Sequence, residues 1–159
     1  MRRKDREVKD MDDIFDIVER CDVVHLGMVD NGKPYVVALN FGYEREGDGL
    51  ILYLHCAMEG RKIDILRNNP DVYFQMDCVN EFIKGTSERP CSYCWRYDSV
   101  MGSGQVEFVG DAQEKTYALN KLIQHVGKTD EIFSFPPASF ARTCVLRIRS
   151  NDITGKHLE

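Results

Sequence analysis

A mainly β fold with helices at its margins follows from three observations on the sequence. Stretches of strand length alternate apolar and polar residues at Asp22–Val29, Pro34–Tyr43, Val72–Val79 and Thr143–Arg149. Most are joined by links too short for a helical crossover, which favours antiparallel neighbours. The chain of 159 residues is 43% hydrophobic, enough for one core, and no internal boundary divides it. Together these predict a single domain over residues 1–159, built as a six-stranded antiparallel barrel that is closed or nearly so. A barrel this small fills its own interior, so any cofactor has to lie outside it, where two subunits meet.

The elements follow in order. Met11, Ile14, Phe15 and Val18 fall on one helical face, and Asp10 can cap a helix over Met11–Arg20. Asp22–Val29 reads as a strand, and Asn31-Gly32 is a strong hairpin signal. The returning strand Pro34–Tyr43 has a bulky side (Tyr35, Val37, Leu39, Phe41, Tyr43) and a small side (Val36, Ala38, Asn40, Gly42). The bulky side packs a core, and the small side lets something flat approach the backbone. Glu44–Asp48 turns the chain into the next strand, which begins at Gly49. After a short helix, Val72–Val79 forms a fourth strand, and polar Asn80–Pro90 reads as a loop. A long strand from Trp95 to Val109 follows, with Gly102 and Gly104 marking a bulge. Asp111 and Glu114 have capping-box spacing before a helix whose apolar face is Ala118, Leu119, Leu122, Ile123 and Val126. Phe133–Phe140 is an aromatic connection, and Thr143–Arg149 is the last strand.

Composition excludes several classes. A net charge of −5 without a basic block argues against a nucleic-acid partner. No apolar run is long enough to span a membrane, and MRRKDREVKD lacks the apolar core of a secretory signal, so the expected location is cytoplasmic. Of the six cysteines only Cys91 and Cys94 have ligand spacing, and no second pair joins them, so reduced thiols are expected rather than a metal site. Cys78 and Cys144 alternate with apolar residues and read as small buried side chains.

The most informative stretch is GLILYLHCAMEGRKIDIL, residues 49–66. Leu50, Leu52 and Leu54 fill one face of a strand; Ile51, Tyr53 and His55 fill the other, so the strand is covered on both sides. Gly60 then precedes Arg61 and Lys62 at a helix start, where two cations and free N–H groups suit a phosphate. A solvated basic helix start is the plainer alternative. His25 lies on a mostly apolar strand and reads as a core histidine; His125 and His157 read as surface residues.

Several motifs in order along the chain together resemble the pyridoxamine 5′-phosphate oxidase-like FMN-binding split barrels, especially the 5-nitroimidazole reductase-related subgroup. They are MRRKDREV, HLGMVDNGKPYVVALNFGY, LYLHCAMEGRKIDIL, YDSVMGSGQVEFV and ITGK. The resemblance implies FMN as cofactor. It implies backbone contacts to the flavin ring from Val37, Ala38, Leu39 and Asn40, with His55 at the ring or ribityl side. Arg61 and Lys62 fall on the phosphate-binding helix start, and Ser99 and Val100 on the strand that approaches the flavin across a homodimer interface. No counterpart of the C-terminal pyridoxal phosphate grip is evident, so oxidation of vitamin B6 is not expected. Aromatic Tyr93, Trp95 and Tyr97 are candidates for the open face of the flavin.

The function implied is that of a flavin-dependent oxidoreductase acting on a small electron-poor molecule such as a nitroimidazole, with His55 as candidate proton donor or substrate ligand. The alternative is a sensor or carrier of the same fold that holds flavin or haem without turnover. A third reading, a barrel without cofactor acting as an interaction protein, leaves Arg61, Lys62, Ser99 and the small strand face unexplained. No glycine-rich nicotinamide-binding turn is present.

Overall fold

A computed structural model describes residues 3–158, with the backbone alone for Asn80. Met1 and Arg2, the first residues of the MRRKDREV match, lie outside the described residues. The strands are β1 (Glu7–Val8), β2 (Val24–Asp30), β3 (Lys33–Leu39), β4 (Gly42–Glu46), β5 (Gly49–Ala57), β6 (Asp71–Ile83), β7 (Cys94–Val109) and β8 (Thr143–Leu158). The helices are α1 (Met11–Arg20), α2 (Arg61–Asn68), α3 (Ala112–Gly127) and α4 (Pro137–Arg142).

All eight strands join one antiparallel sheet in the order β3-β2-β6-β7-β8-β5-β4, with β1 paired to β8. The mainly β class with flanking helices is therefore correct, whereas the six-stranded closed barrel is not. Among the described pairings β3 and β4 stand at opposite ends and do not bond to each other. Only Asn40 and Phe41 separate them in sequence, so the chain itself bridges the two ends of the sheet. The expected single strand Pro34–Tyr43 breaks there because its halves serve different partners, β2 before the break and β5 after it. Phe41 is fully buried at the break.

Local chemistry explains the elements. The Asp10 carboxylate accepts the Asp12 N–H at 2.9 Å and starts α1, and Asp111 accepts the N–H groups of Gln113 and Glu114 to start α3. Asn31 and Gly32 take the left-handed conformation that a tight hairpin needs. The register of β7 against β8 shifts between Ser103 and Gln105, which is the bulge expected at Gly102 and Gly104.

Leu50, Leu52 and Leu54 sit in the main core with Leu26, Phe74, Met76, Leu146, Ile148 and the apolar face of α1. Ile51 and Tyr53, on the opposite face of β5, pack with Val109, Ala118, Leu119 and Val145 beneath α3. The strand is covered on both sides, as its composition required.

Gly42 corrects the reading of the small strand face. A Cβ there would stand 2.3 Å from the Leu122 nitrogen, so the missing side chain admits helix α3 and not a flat ligand. β6 runs to Ile83, into the expected loop, and pairs with Cys94–Arg96 after a register shift between Val79 and Glu81. β8 continues nine residues past Arg149 to Leu158. Two histidines also differ from expectation. His25 is exposed on the outer face of β2. His125 is buried, its ring 4.6 Å from that of Phe41 and its Nε2 2.8 Å from the Cys21 carbonyl oxygen. His157 is exposed, as expected, and bonded to the buried Asp98, which also accepts from Arg20 at 2.7 Å.

Candidate functional site

The start of α2 carries the most chemistry. An α-helix leaves its first N–H groups without intrahelical partners. The first helical bond here runs from Asp64 N–H to the Gly60 carbonyl, so the N–H groups of Arg61, Lys62 and Ile63 precede the helical ladder. Gly60 supplies no capping side chain. Its φ of 128° is a conformation that other residues adopt only with strain, and nothing lies within 4 Å of where its Cβ would be. The result is an open, positively polarised helix end.

A cleft of about 200 Å³ faces this end, lined by Tyr35 and Val37 of β3, Cys56 and Ala57 of β5, and Glu59 to Ile63. The sheet order places β3 and β5 far apart, yet β3 turns into β4 beside β5, which brings Val37 and Cys56 to one place. Three of the expected residues thus converge, Val37, Arg61 and Lys62; His55 does not line the cleft but lies on the other face of β5, within reach of the Lys62 charge.

Arg61 is not a free cation. Its guanidinium pairs with Asp30 at 3.0 Å and lies 4.5 Å over the Tyr35 ring. Lys62 faces Cys56 and His55, and its ammonium influences both. His55 is held below its ordinary imidazole value, first by partial loss of hydration beside its neighbours, although its side chain stays exposed, and then by the Lys62 charge. It is therefore neutral near pH 7. The Cys56 thiol is brought down to about 7, chiefly by the hydrogen bond from Cys144, with Lys62 adding to the effect and burial opposing it. Sequence reasoning missed Cys56 in this cleft; its position next to His55 in the same strand was the available signal.

The remaining expected residues divide by strand. β3 is a terminal strand of the sheet, so every second residue of Val37–Asn40 directs its N–H and C=O away from β2. That free edge fits the expected backbone contacts. Ala38 is exposed on the face opposite Val37, and the Asn40 amide donates to the Asp22 carbonyl at 3.0 Å. Ser99 and Val100 do not join the cleft of their own chain. Val100 is a correction: its side chain is fully buried in the main core, and its strand is paired on both edges, so it offers a ligand neither side chain nor free backbone. Ser99 lies on the outer face of β7, nearly buried between Asp77 and Lys156.

A larger cavity of about 1010 Å³ lies between the N-terminal segment and α1, away from α2. It is lined by charges of both signs, of which Arg3 pairs with Asp5 and Arg20 with Asp98. The exposed aromatics Tyr93 and Trp95 pack around Phe82 on the β6–β7 hairpin, with Phe82 and Trp95 centroids 4.9 Å apart. Farther along β7 the Tyr97 hydroxyl accepts a hydrogen bond from the Lys156 ammonium. None of the three lines the cleft of its own chain.

Comparison with known proteins adds the following. Residues 10–157 match the family model described as pyridoxamine 5′-phosphate oxidase. The structure is similar to that of a candidate 5-nitroimidazole antibiotic resistance protein from Bacteroides thetaiotaomicron, with a TM-score of 0.80 and 33% identity over 94% of this chain and 85% of that one. It is also similar to the FAD and heme binding protein of Mycobacterium smegmatis, with a TM-score of 0.79 and 19% identity over 97% of this chain and 74% of that one. The flavocytochrome Anf3 of Azotobacter vinelandii aligns with a TM-score of 0.78 and 20% identity, over 100% of this chain and 72% of that one. These last two show a shared fold alone. Among curated proteins no match to the chain is found.

Proposed function

The chain belongs to the pyridoxamine 5′-phosphate oxidase family, and from that premise we propose that it is an FMN-dependent oxidoreductase reducing a small electron-poor molecule such as a nitroimidazole. The observation that carries this reading is the uncapped start of α2, where Gly60, Arg61 and Lys62 face a cleft of phosphate size. The 33% identity to the Bacteroides protein supports the substrate class.

FMN, when bound, supplies electron transfer in single or paired steps. The chain's own residues do the rest. The Lys62 ammonium and the leading N–H groups of α2 hold the phosphate, while Asp30 and Tyr35 keep Arg61 oriented beside it. Tyr35 and Val37 wall the cleft, and the free edge of β3 offers N–H and C=O groups to a polar ring edge. His55, neutral near pH 7, is positioned to bind a substrate oxygen or to pass a proton after loading from solvent.

The protein acts as a homodimer in this reading. Val36, Tyr73 and Met101 are exposed on the outer face of β3, β2, β6 and β7, an apolar surface continuous with Ser99. Pairing across it carries Ser99 toward the partner's cleft and encloses the ring that a 200 Å³ cleft is too small to cover.

The test is flavin titration followed by anaerobic photoreduction. FMN should bind more tightly than riboflavin, and reduced protein should be reoxidised by a nitroimidazole faster than by oxygen. Equal affinities overturn the phosphate site. Tight FMN binding without reoxidation by nitroimidazole or quinone overturns the enzymatic reading in favour of a flavin carrier. His55→Ala separates its two roles: a rate loss of about a hundredfold with flavin retained marks proton transfer, and lost occupancy marks a bracing role.

A further inference from the structure

Cys56 and Cys144 are direct cross-strand partners in the β5–β8 ladder. Opposed residues on one face of an antiparallel pair have Cα atoms roughly 4.5–5.5 Å apart, inside the range that a disulfide spans. Both side chains point to the main core side, where Cys144 is buried and Cys56 packs at the edge. Their pairing in the ladder sets the two thiols beside each other. They differ in what else they meet: Cys56 lines the α2 cleft and faces Lys62, whereas Cys144 lies behind it.

We propose that Cys56 and Cys144 form a redox site, in which hydrogen peroxide oxidises Cys56 and Cys144 resolves it to an intramolecular disulfide. The Cys56 thiolate attacks one peroxide oxygen, the O–O bond breaks, and the departing hydroxide takes a proton to become water. The Cys144 sulfur then attacks the sulfenic sulfur of Cys56, the S–O bond breaks, and the second hydroxide leaves as water with the Cys144 proton. Two thiols and one peroxide thus give one disulfide and two waters.

The chain contains its own contrast. Cys21 and Cys78 are also neighbouring thiols, but Cys21 is buried, and burial pushes its thiol up. Cys91 is exposed, and no described strand pairing sets another cysteine opposite it. The attacking thiol of Cys56 is instead held near ambient pH beside an ammonium, the condition under which thiol exchange is fastest. The disulfide would tie β5 to β8 at the point where β5 leads into the cleft and would release Lys62 from the Cys56 sulfur. The pair's reactivity does not depend on the flavin reading.

The reduced full chain is treated with one equivalent of hydrogen peroxide, and free thiols are then labelled and mapped by mass spectrometry. The expected result is that two of the six thiols, Cys56 and Cys144, are lost together in one intramolecular cross-link. In Cys144→Ser the Cys56 sulfenic acid should accumulate and be captured by dimedone. On the unmutated chain, the rate of Cys56 alkylation should level off at a lower pH than that of a cysteine in an unstructured peptide. Preferential oxidation of Cys91 or Cys94, a cross-link between two chains, or Cys56 alkylating with the pH profile of a cysteine in an unstructured peptide overturns the proposal.

Discussion

Helices α2 and α3 begin in opposite ways. At α3 the Asp111 carboxylate accepts two N–H groups at 2.9 Å, so the chain satisfies its own helix start. At α2 the corresponding residue is Gly60, which has no side chain, and the next two residues are cations. Negative charge at a helix start is stabilising and positive charge is not. Asp64 in the first turn offsets the cations only in part. The start of α3 is thus complete as it stands, whereas that of α2 gains most from an anion supplied from outside. The same element serves structure in one place and recognition in the other, and the cap residue decides which.

The contrast breaks most visibly at Lys62. Lys62→Ala should weaken FMN binding by about tenfold or more, since a charge-assisted contact is worth about 1.5–3 kcal/mol. Thermal stability without ligand should barely move, because surface substitutions away from special features stay within about 0.5 kcal/mol. Unchanged FMN affinity by fluorescence titration would remove the phosphate from α2.

Asp111→Ala should do the reverse, lowering unfolding free energy by about 1 kcal/mol and leaving FMN affinity alone. Urea denaturation and flavin titration on one preparation test both halves. A loss of flavin binding with intact stability would mean that the two helix starts are not functionally separate.

How far this contrast was readable in advance depends on where its determinants lie. Asp10 and Asp111 are local signals, and both caps were legible from spacing alone. So were α1, the Asn31-Gly32 turn and the doubly covered β5, because their patterns are complete within a few residues. The extension of β8 was hidden because the residues after Arg149 are mostly polar and the bulge opposite them resets the alternation. The depth of His125 was readable as Leu122 plus three, yet a histidine was set aside in favour of Val126, which is exposed. What makes His125 a core residue is long-range: rings from Phe41 and Tyr43 and a carbonyl at Cys21. In the candidate site, Arg61 and Lys62 were legible, but their inequality was not. Asp30, which holds Arg61, is thirty-one residues away in sequence. Val100 was misplaced because family position says nothing about which face of a strand looks inward.

That inequality gives a smaller and sharper effect. Arg61 already has a carboxylate and a ring for partners, so Arg61→Ala should cost less FMN affinity than Lys62→Ala. Asp30→Asn should free the guanidinium for the phosphate and widen the difference in FMN affinity between chains with and without Arg61. A double-mutant cycle between Asp30 and Arg61, read as FMN affinity, should therefore show coupling. Additive effects would mean that Arg61 reaches the ligand independently of Asp30.

The smallest effect concerns the charge that the open helix start imposes on His55. Its folded value lies below the ordinary one near 6.5, because of burial first and Lys62 second. Between these two values the unfolded chain binds more protons than the folded one, so stability rises with pH across that window. Stability should fall as pH drops through about 6.5 and level off once the folded histidine is itself protonated. Since His55 is well exposed, solvent screens the effect and the change should be slight. Denaturation at several pH values, with His55→Asn as reference, isolates this contribution. An anion seated on α2 should oppose the Lys62 charge and move His55 back toward its ordinary value. A His55 titration followed by NMR, with and without inorganic phosphate, tests that link directly. No upward movement with phosphate present would mean that the anion does not bind beside Lys62, and the difference between the two helix starts would then be one of capping alone.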